Sequence, residues 1–546
     1  MQIREFIKKF DWLIVGIWAC LLFIPFLGSV HLFDWDEINF AESAREMLLT
    51  GNYQKVQINF VPFMEKPPLF FWLQVLSMKF FGVNEFAARF PNALVGITTL
   101  SLVFQIGKKI HGRSLAFFWV LLITGSITPH LYFKTGIIDP LYNLFIFCSI
   151  YQFFLFTGTE NKTKHAWLMG LFMGLAIITK GPVAVIIVLL SFIVYWALNR
   201  FKLFFSWKDI LRVFVSSLLV SIIWFGYETL QNGPSFLVEF FKYQVDLFVN
   251  PVAGHGQPFY YHPIVLLLGA FPSSIIALKM LFNRSKSNEG TEHARFLGMM
   301  QIMFWVVLIL FSVVTTKIVH YSSLCYIPLT FMAAYQIIIL FEKAEPFTIW
   351  QTGLIGLIGF LLAMIFMVIP FIDSFKVDLL PAINDEFAKG NLSLDGGWKG
   401  YEAYPGVLLL ITVLMAIAQL FKHETLKGSF LLLLFMSFFI PIVLTVIAPR
   451  IETYSQNSAI EFYKSIEDQD CYVETVGFKS YAQYFYKKVL PWHAKSEDES
   501  WLMSGKIDKP VYFVLKEGNL ENHVNAEMKE LYRKGGFVFF KREVPQ

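Results

Sequence analysis

Charge is scarce in this sequence. Asp, Glu, Lys and Arg make up 16% of 546 residues, against roughly 25% in an average soluble domain, which argues against a soluble globular protein. Cysteine is scarcer still: Cys20, Cys148, Cys325 and Cys471 are scattered, three of them in apolar runs, so neither a disulfide framework nor a CxxC metal site is legible. The net charge of +4 is small and its bases lie in short loops without forming a patch, which excludes nucleic acid as a partner. There is no Walker motif, which argues against ATP-driven transport. No internal repeat or low-complexity tract stands out.

What is abundant is apolar length. The chain is 56% hydrophobic with 60 Phe and a mean hydropathy of +0.55. Apolar runs fall near residues 11–30, 87–107, 114–131, 140–157, 166–179, 181–199, 210–228, 260–282, 296–314, 321–341, 348–371, 405–421 and 428–448. Most reach the roughly 18–20 residues that cross a hydrocarbon core. We expect an α-helical polytopic membrane protein with about thirteen spans. The first run follows Arg4, Lys8 and Lys9, but no small-residue cleavage site succeeds it, so it reads as a retained helix.

Alternate connections hold Lys108, Lys109 and Arg113; Lys162 and Lys164; Arg200, Lys202 and Lys208; Arg284, Lys286 and Arg295; and Lys422 and Lys427. By the positive-inside rule these are cytoplasmic, with the N-terminus on the same side. The opposite loops are richer in acids, the first running from about 31 to 86. We expect residues 1–448 to form the membrane domain and 449–546 a small soluble α/β domain on the outer side. Strand-like runs at Cys471–Val476, Val511–Leu515 and Phe537–Phe540 and a helix-like stretch at Glu521–Arg533 support the second.

Ionisable groups near membrane depth are costly, so a cluster at span ends on one side calls for a functional explanation. After span one come Asp36 and Glu37, then a stretch in which Ile38, Ala41, Arg45 and Leu48 share a helical spacing, with Glu42 and Glu46 one turn apart. This predicts a short interfacial helix ended by Thr50-Gly51-Asn52. Glu65 and Lys66 follow, stiffened by Pro67 and Pro68. Asp139 before Pro140, Lys180 before Gly181-Pro182, and Lys317 face the same side. Lysines on stiff loops can neutralise a phosphate, and a carboxylate beside them can serve as a general base or hold a metal ion. A lipid phosphate used as a sugar donor needs both: its leaving phosphate gathers charge while the acceptor hydroxyl loses a proton. Inversion through an oxocarbenium-like transition state is the expected geometry.

The order Asp36-Glu37 with Ala41-Glu42, then Glu65-Lys66-Pro67-Pro68-Leu69 leading into Trp72-Leu73, then Asp139-Pro140, then Thr179-Lys180-Gly181 resembles the polyprenyl-phosphate-dependent glycosyltransferases of the GT-C superfamily. It is most similar to the bacterial 4-amino-4-deoxy-L-arabinose transferases of lipid A, with protein O-mannosyltransferases as relatives. The resemblance covers the whole chain in architecture and is motif-specific mainly over the first 185 residues. It implies an inverting transferase in a bacterial-type inner membrane, with a polyprenyl-phosphate-linked sugar as donor and a lipid or protein as acceptor. It makes Asp36 the catalytic or metal-holding carboxylate and Asp139 its partner, and places Glu65 and Lys66 at the donor phosphate; from their position on the same face, Lys180 and Lys317 are further candidate phosphate contacts. No cofactor is certain; a divalent metal ion at Asp36, Asp139 and Glu65 is a candidate. One departure stands out: the aminoarabinose transferases carry Arg three residues after the matching Asp, and this chain has Asn39.

Glu37, Arg45, His255, His262 and Tyr321 are candidate substrate contacts. The last four have a structural alternative: the two histidines in packing of a Gly/Pro-rich loop, Arg45 in a helix ion pair with Glu42 and Glu46, and Tyr321, beside His320, in an interfacial aromatic belt. A secondary transporter or lipid flippase is the alternative of another class. It predicts charge at the bilayer midplane and internal repeats, whereas the charges here gather at one face.

Overall fold

A computed structural model describes residues 10–63, 65–250, 256–283, 291–493 and 499–545. Within them every expected apolar run falls on a helix or a broken pair of helices. Among the described residues, seven helices are long and apolar enough to cross a membrane: Glu85–His111, Trp207–Asn232, Glu292–Val313, Val319–Glu342, Ile349–Ala382, Tyr401–Phe421 and Thr425–Thr453. Two further runs give Asp139–Phe156 and Lys162–Lys180, of 18 and 19 residues; the rest give shorter helices, and in three of them the cause is local. The first helix, Asp11–Phe23, stops before Pro25, which has no N–H to extend the ladder. The run over 114–131 divides into Arg113–Thr124 and Ile127–Tyr132. There Gly125 approaches the helix Thr425–Val446 so closely that a Cβ would lie 2.6 Å from the Leu433 carbonyl oxygen. The run over 260–282 breaks before Pro272.

Among the helices not expected, Leu69–Phe81 and Ser235–Val249 bear on the site. The first packs against Asp36–Thr50 and Glu85–His111, and the second brings Tyr243 and Gln244 toward the site. At the centre of the bundle, Tyr326–Glu342 is buried along almost its whole length, against Arg113–Thr124, Ser273–Phe282 and Glu292–Val313. The outer helices keep apolar side chains exposed, among them Leu218, Leu219, Ile222 and Ile223 on Trp207–Asn232 and Leu357, Leu361 and Ile365 on Ile349–Val368. These are stripes for lipid tails, and the molecule is a multi-pass membrane protein.

The expected interfacial helix exists, at Asp36–Thr50, but it is not laid with one face to water. Every residue from Glu37 to Met47 is buried, because Leu69–Phe81, the strand Gln57–Ile58 and the C-terminal part all pack on it. There Arg45 donates to Glu42 at 2.7 and 2.6 Å and to the Val489 carbonyl at 2.7 Å. Glu46 accepts from the Phe60 N–H at 2.9 Å. Burial first, and the neighbouring Glu42 second, push its pKa up to about 9. With the folded value above the ordinary 4.5, its contribution to stability is complete below that pH and is lost as pH rises toward 9. Glu46→Gln is therefore expected to flatten the fall in thermal midpoint of the detergent-solubilised protein over this range. A slope identical to wild type would contradict the assignment.

The C-terminal region forms a four-stranded sheet ordered Tyr472–Val476, Val511–Lys516, Phe537–Arg542, Lys529–Lys534; the first pair is parallel and the others antiparallel. The stretch expected to be a helix over Glu521–Arg533 is instead a 3-10 turn, Glu517–Asn522, followed by the edge strand Lys529–Lys534. The sheet region meets the first outer loop through polar contacts. The Leu32 N–H donates to the Tyr486 hydroxyl at 2.7 Å, Gln456 Nε2 donates to the Leu32 carbonyl at 2.8 Å, and Ser480 Oγ donates to Asp34.

Candidate active site

The site is built at helix ends. Asp139 is the first residue of Asp139–Phe156, with Pro140 in the first turn, and Lys180 is the last residue of Lys162–Lys180. The two helices are joined by a short turn and run antiparallel side by side, so the start of one and the end of the other lie together. A carboxylate at a helix N-terminus and an ammonium at a C-terminus each complement the helix dipole, and here they also pair, Lys180 Nζ to Asp139 Oδ1 at 2.6 Å. Gly181, at φ +117° with Phe240 Cζ 3.3 Å from where a Cβ would stand, lets the chain turn directly after Lys180.

The loop into Asp139 is held from behind. Asn92 Nδ2 donates to the carbonyls of Thr135 and Ile137, both at 2.6 Å, and the Gly136 N–H donates to Glu37. Glu37 in turn accepts from Arg89 at 3.0 and 2.8 Å and from the Phe33 N–H at 2.8 Å. Arg89 donates further to the carbonyls of Leu27, Val30 and His31. Glu37 and Arg89 are both 2% exposed, so this pair is a buried strut that fixes the first outer loop and the Asp139 loop together.

In front of the strut lies a cavity of about 780 Å³ whose walls include Asp36, Glu37, Asn39, Glu65, Lys66, Asp139, Lys180, Tyr243, His320 and Tyr321, with Lys479 and Tyr481 from the C-terminal region. The carboxylates divide by access: the side chains of Asp36 and Glu65 are 36% and 37% exposed, that of Asp139 only 5%. His320 stands between the two aspartates, its Nε2 3.3 Å from Asp36 Oδ2 and 3.8 Å from Asp139 Oδ2. Lys66 Nζ is 4.0 Å from Glu65 Oε2, beyond hydrogen-bond length, and 5.6 Å from the centre of the Tyr243 ring. Lys180 lies 5.1 Å from the Tyr321 ring centre. Burial lowers the pKa of Lys66, with Glu65 opposing that shift. Lys66 therefore loses its charge below the ordinary lysine value of 10.5, and anion binding in the cavity is expected to weaken at lower pH than an ordinary lysine would allow.

From the same charged group a narrow slot continues between Val183, Ile187, Phe311, Val314 and Leu324, with Lys66, Asp139, Lys180 and Tyr321 at its mouth. A polar chamber thus opens onto an apolar crevice between helices.

The structure brings together Asp36, Glu37, Glu65, Lys66, Asp139, Lys180 and Tyr321 of the residues anticipated from sequence. It does not bring Lys317, which donates to the Val314 carbonyl at 2.7 Å, nor His262, buried against Ser322 Oγ at 3.0 Å, nor Arg45 in its pair with Glu42. His255 lies outside the described residues. The candidate metal set does not fit: one oxygen of Asp139 is bonded to Lys180, and among the described residues no three His, Cys, Asp or Glu side chains are disposed to hold an ion. His320, Tyr243 and Arg89 were not anticipated in the site. Arg89 had a signal, a charge inside an apolar helix; Tyr243 had none.

Fold and site together define a polytopic membrane protein with a charged chamber at helix ends on one face. The fold is shared with ArnT from Cupriavidus metallidurans bound to undecaprenyl phosphate, at a TM-score of 0.74 and 17% identity, covering 98% of this chain and 100% of that one. Residues 65–224 match the family described as dolichyl-phosphate-mannose-protein mannosyltransferase. The undecaprenyl phosphate-alpha-4-amino-4-deoxy-L-arabinose arabinosyl transferase 1 of Proteus mirabilis is 26% identical over 340 residues, 60% of each chain. The corresponding transferase of Enterobacter sp. is 27% identical over 335 residues, 58% of this chain and 57% of its own length. The resemblance read from the motifs is borne out, and the match spans about 60% of the length of these curated relatives.

Proposed function

We propose that this protein is an integral membrane glycosyltransferase that moves a sugar, with inversion, from a polyprenyl-phosphate donor to lipid A or a related glycolipid. The observation that carries this is the shared mouth of chamber and slot: Lys66 and Lys180 sit where a polar cavity of about 780 Å³ meets an apolar crevice. A ligand with a phosphate head and a hydrocarbon tail matches that junction. Each ammonium has three donors. Lys180 spends one on Asp139, and Lys66 lies too far from Glu65 to spend one there. Asp36, accessible and 3.3 Å from His320, is the base. The acceptor hydroxyl gives its proton to the carboxylate, its oxygen bonds to the anomeric carbon, and the bond from that carbon to the phosphate oxygen breaks. The polyprenyl phosphate leaves carrying the electron pair, against the two lysines.

The charges stand at helix ends on one face, which disfavours translocation through the midplane. That face is the outer one in this reading, with the N-terminus cytoplasmic and residues 449–546 outside. At the opposite end of the bundle Lys108 and Arg113 hold Asp11 at 2.7 and 3.1 Å, consistent with cytoplasmic cations. The match of residues 65–224 to protein mannosyltransferases supports a second reading with a protein hydroxyl as acceptor. Mass spectrometry of envelopes from cells with and without the protein separates the two. Loss of one sugar from glycolipids is expected; loss from proteins alone would select the second reading, and no missing sugar would refute both.

A further inference from the structure

A second cavity, of about 260 Å³, lies between the C-terminal sheet region and the first outer loop. It shares Asp34, Trp35 and Lys479 with the wall of the larger chamber, so the two are neighbours. Nothing in the transfer chemistry above uses it.

Its lining combines cations with aromatic faces. Lys516 Nζ stands 4.5 Å from the Phe387 ring centre and 4.8 Å from that of Phe478. Lys479 Nζ stands 5.5 Å from Trp35 and 5.3 Å from Tyr481. Among the described residues neither ammonium makes a carboxylate ion pair, in contrast to Lys66 and Lys180. The carboxyl group that faces them, Asp34, accepts from Ser480 through one oxygen, while the other is buried without a partner. Cations held on ring faces, next to an unspent polar oxygen, suit a ligand with an anionic group for the ammonium ions, a hydroxyl for Asp34 and C–H faces for the rings. The volume is just below the roughly 300–1,000 Å³ of small-molecule sites, so one sugar unit enters and a whole glycolipid head group does not.

We infer that this cavity is an acceptor subsite that grips a phosphate-bearing sugar unit of the acceptor while another part of the same head group reaches Asp36 in the adjoining chamber. The inference rests on the transferase reading and assigns to the C-terminal region the task of holding the acceptor.

The test uses the full-length protein in detergent, with lipid A and chemically dephosphorylated lipid A as probes, and Lys516→Gln and Lys516→Arg as variants. Lys516 lines the smaller cavity only. Lys516→Gln is expected to weaken lipid A binding, and to raise its KM in transfer, by about tenfold with kcat and the donor KM unchanged. Lys516→Arg should restore most of the loss, and dephosphorylated lipid A should bind wild type and Lys516→Gln equally weakly. Lipid A binding and KM unaltered by Lys516→Gln would overturn the subsite while leaving the transferase reading intact if transfer continues. Lysine-dependent binding of lipid A by a protein that transfers no sugar would do the reverse.

Discussion

Asp36→Asn is expected to lower sugar transfer by about 10²–10⁴-fold, the usual worth of a positioned general base, while the protein still inserts and binds the lipid-phosphate donor. The residue is suited to the role by what it does not touch. Asp139 is buried and bonded to Lys180, Glu37 is locked to Arg89, and Glu42 is locked to Arg45. Asp36 has 36% of its side chain exposed, and among the described residues its one ion-pair partner is His320, at 3.3 Å. An amide retains the size and loses the basicity. Transfer measured with labelled lipid-linked sugar, alongside donor binding on the same preparation, checks it: near-wild-type transfer removes Asp36 as base, and lost donor binding would recast it as a binding group.

Arg89→Met is expected to cost about 3–5 kcal/mol of stability, because it strands Glu37 as an uncompensated buried carboxylate and frees three loop carbonyls that Arg89 now caps. The Arg89→Met/Glu37→Gln double variant should recover part of that loss, since the buried charge is gone from both sides. Donor binding should remain impaired in both, because the Gly136 contact to Glu37 and the loop that presents Asp139 depend on the strut. Unfolding of the purified variants in detergent measures the stability. A single variant as stable as wild type would show that the pair does not hold the outer loop.

The distribution of legible and illegible features has a physical basis. Apolar runs imposed by the membrane were readable because burial in lipid demands composition over a fixed length. Leu69–Phe81, at 13 residues, is shorter than that length and is stabilised by helices on either side. Ser235–Val249 carries Glu239, Lys242 and Asp246, which interrupt its apolar pattern. Lys529–Lys534 was misread because every residue of it is exposed, so no alternation marks it as a strand; pairing with Phe537–Arg542 makes it one. At the site, Asp36, Lys66, Asp139 and Lys180 were visible as costly charges at span ends. The link from His320 to two aspartates more than 180 positions earlier in the chain depends on tertiary packing, and so does the difference between Lys180, which faces the chamber, and Lys317, which turns back to its own chain.

The central claim is that Lys66 and Lys180 receive a lipid-linked phosphate at the junction of chamber and crevice. Purified protein reconstituted in liposomes with a radiolabelled polyprenyl-phosphate sugar and lipid A tests it most directly, comparing wild type with Lys66→Met and Lys180→Met. The account predicts label in lipid A with wild type and loss of donor binding and of transfer with either variant. Unimpaired donor binding and transfer by both variants, or none by the wild type, would contradict it.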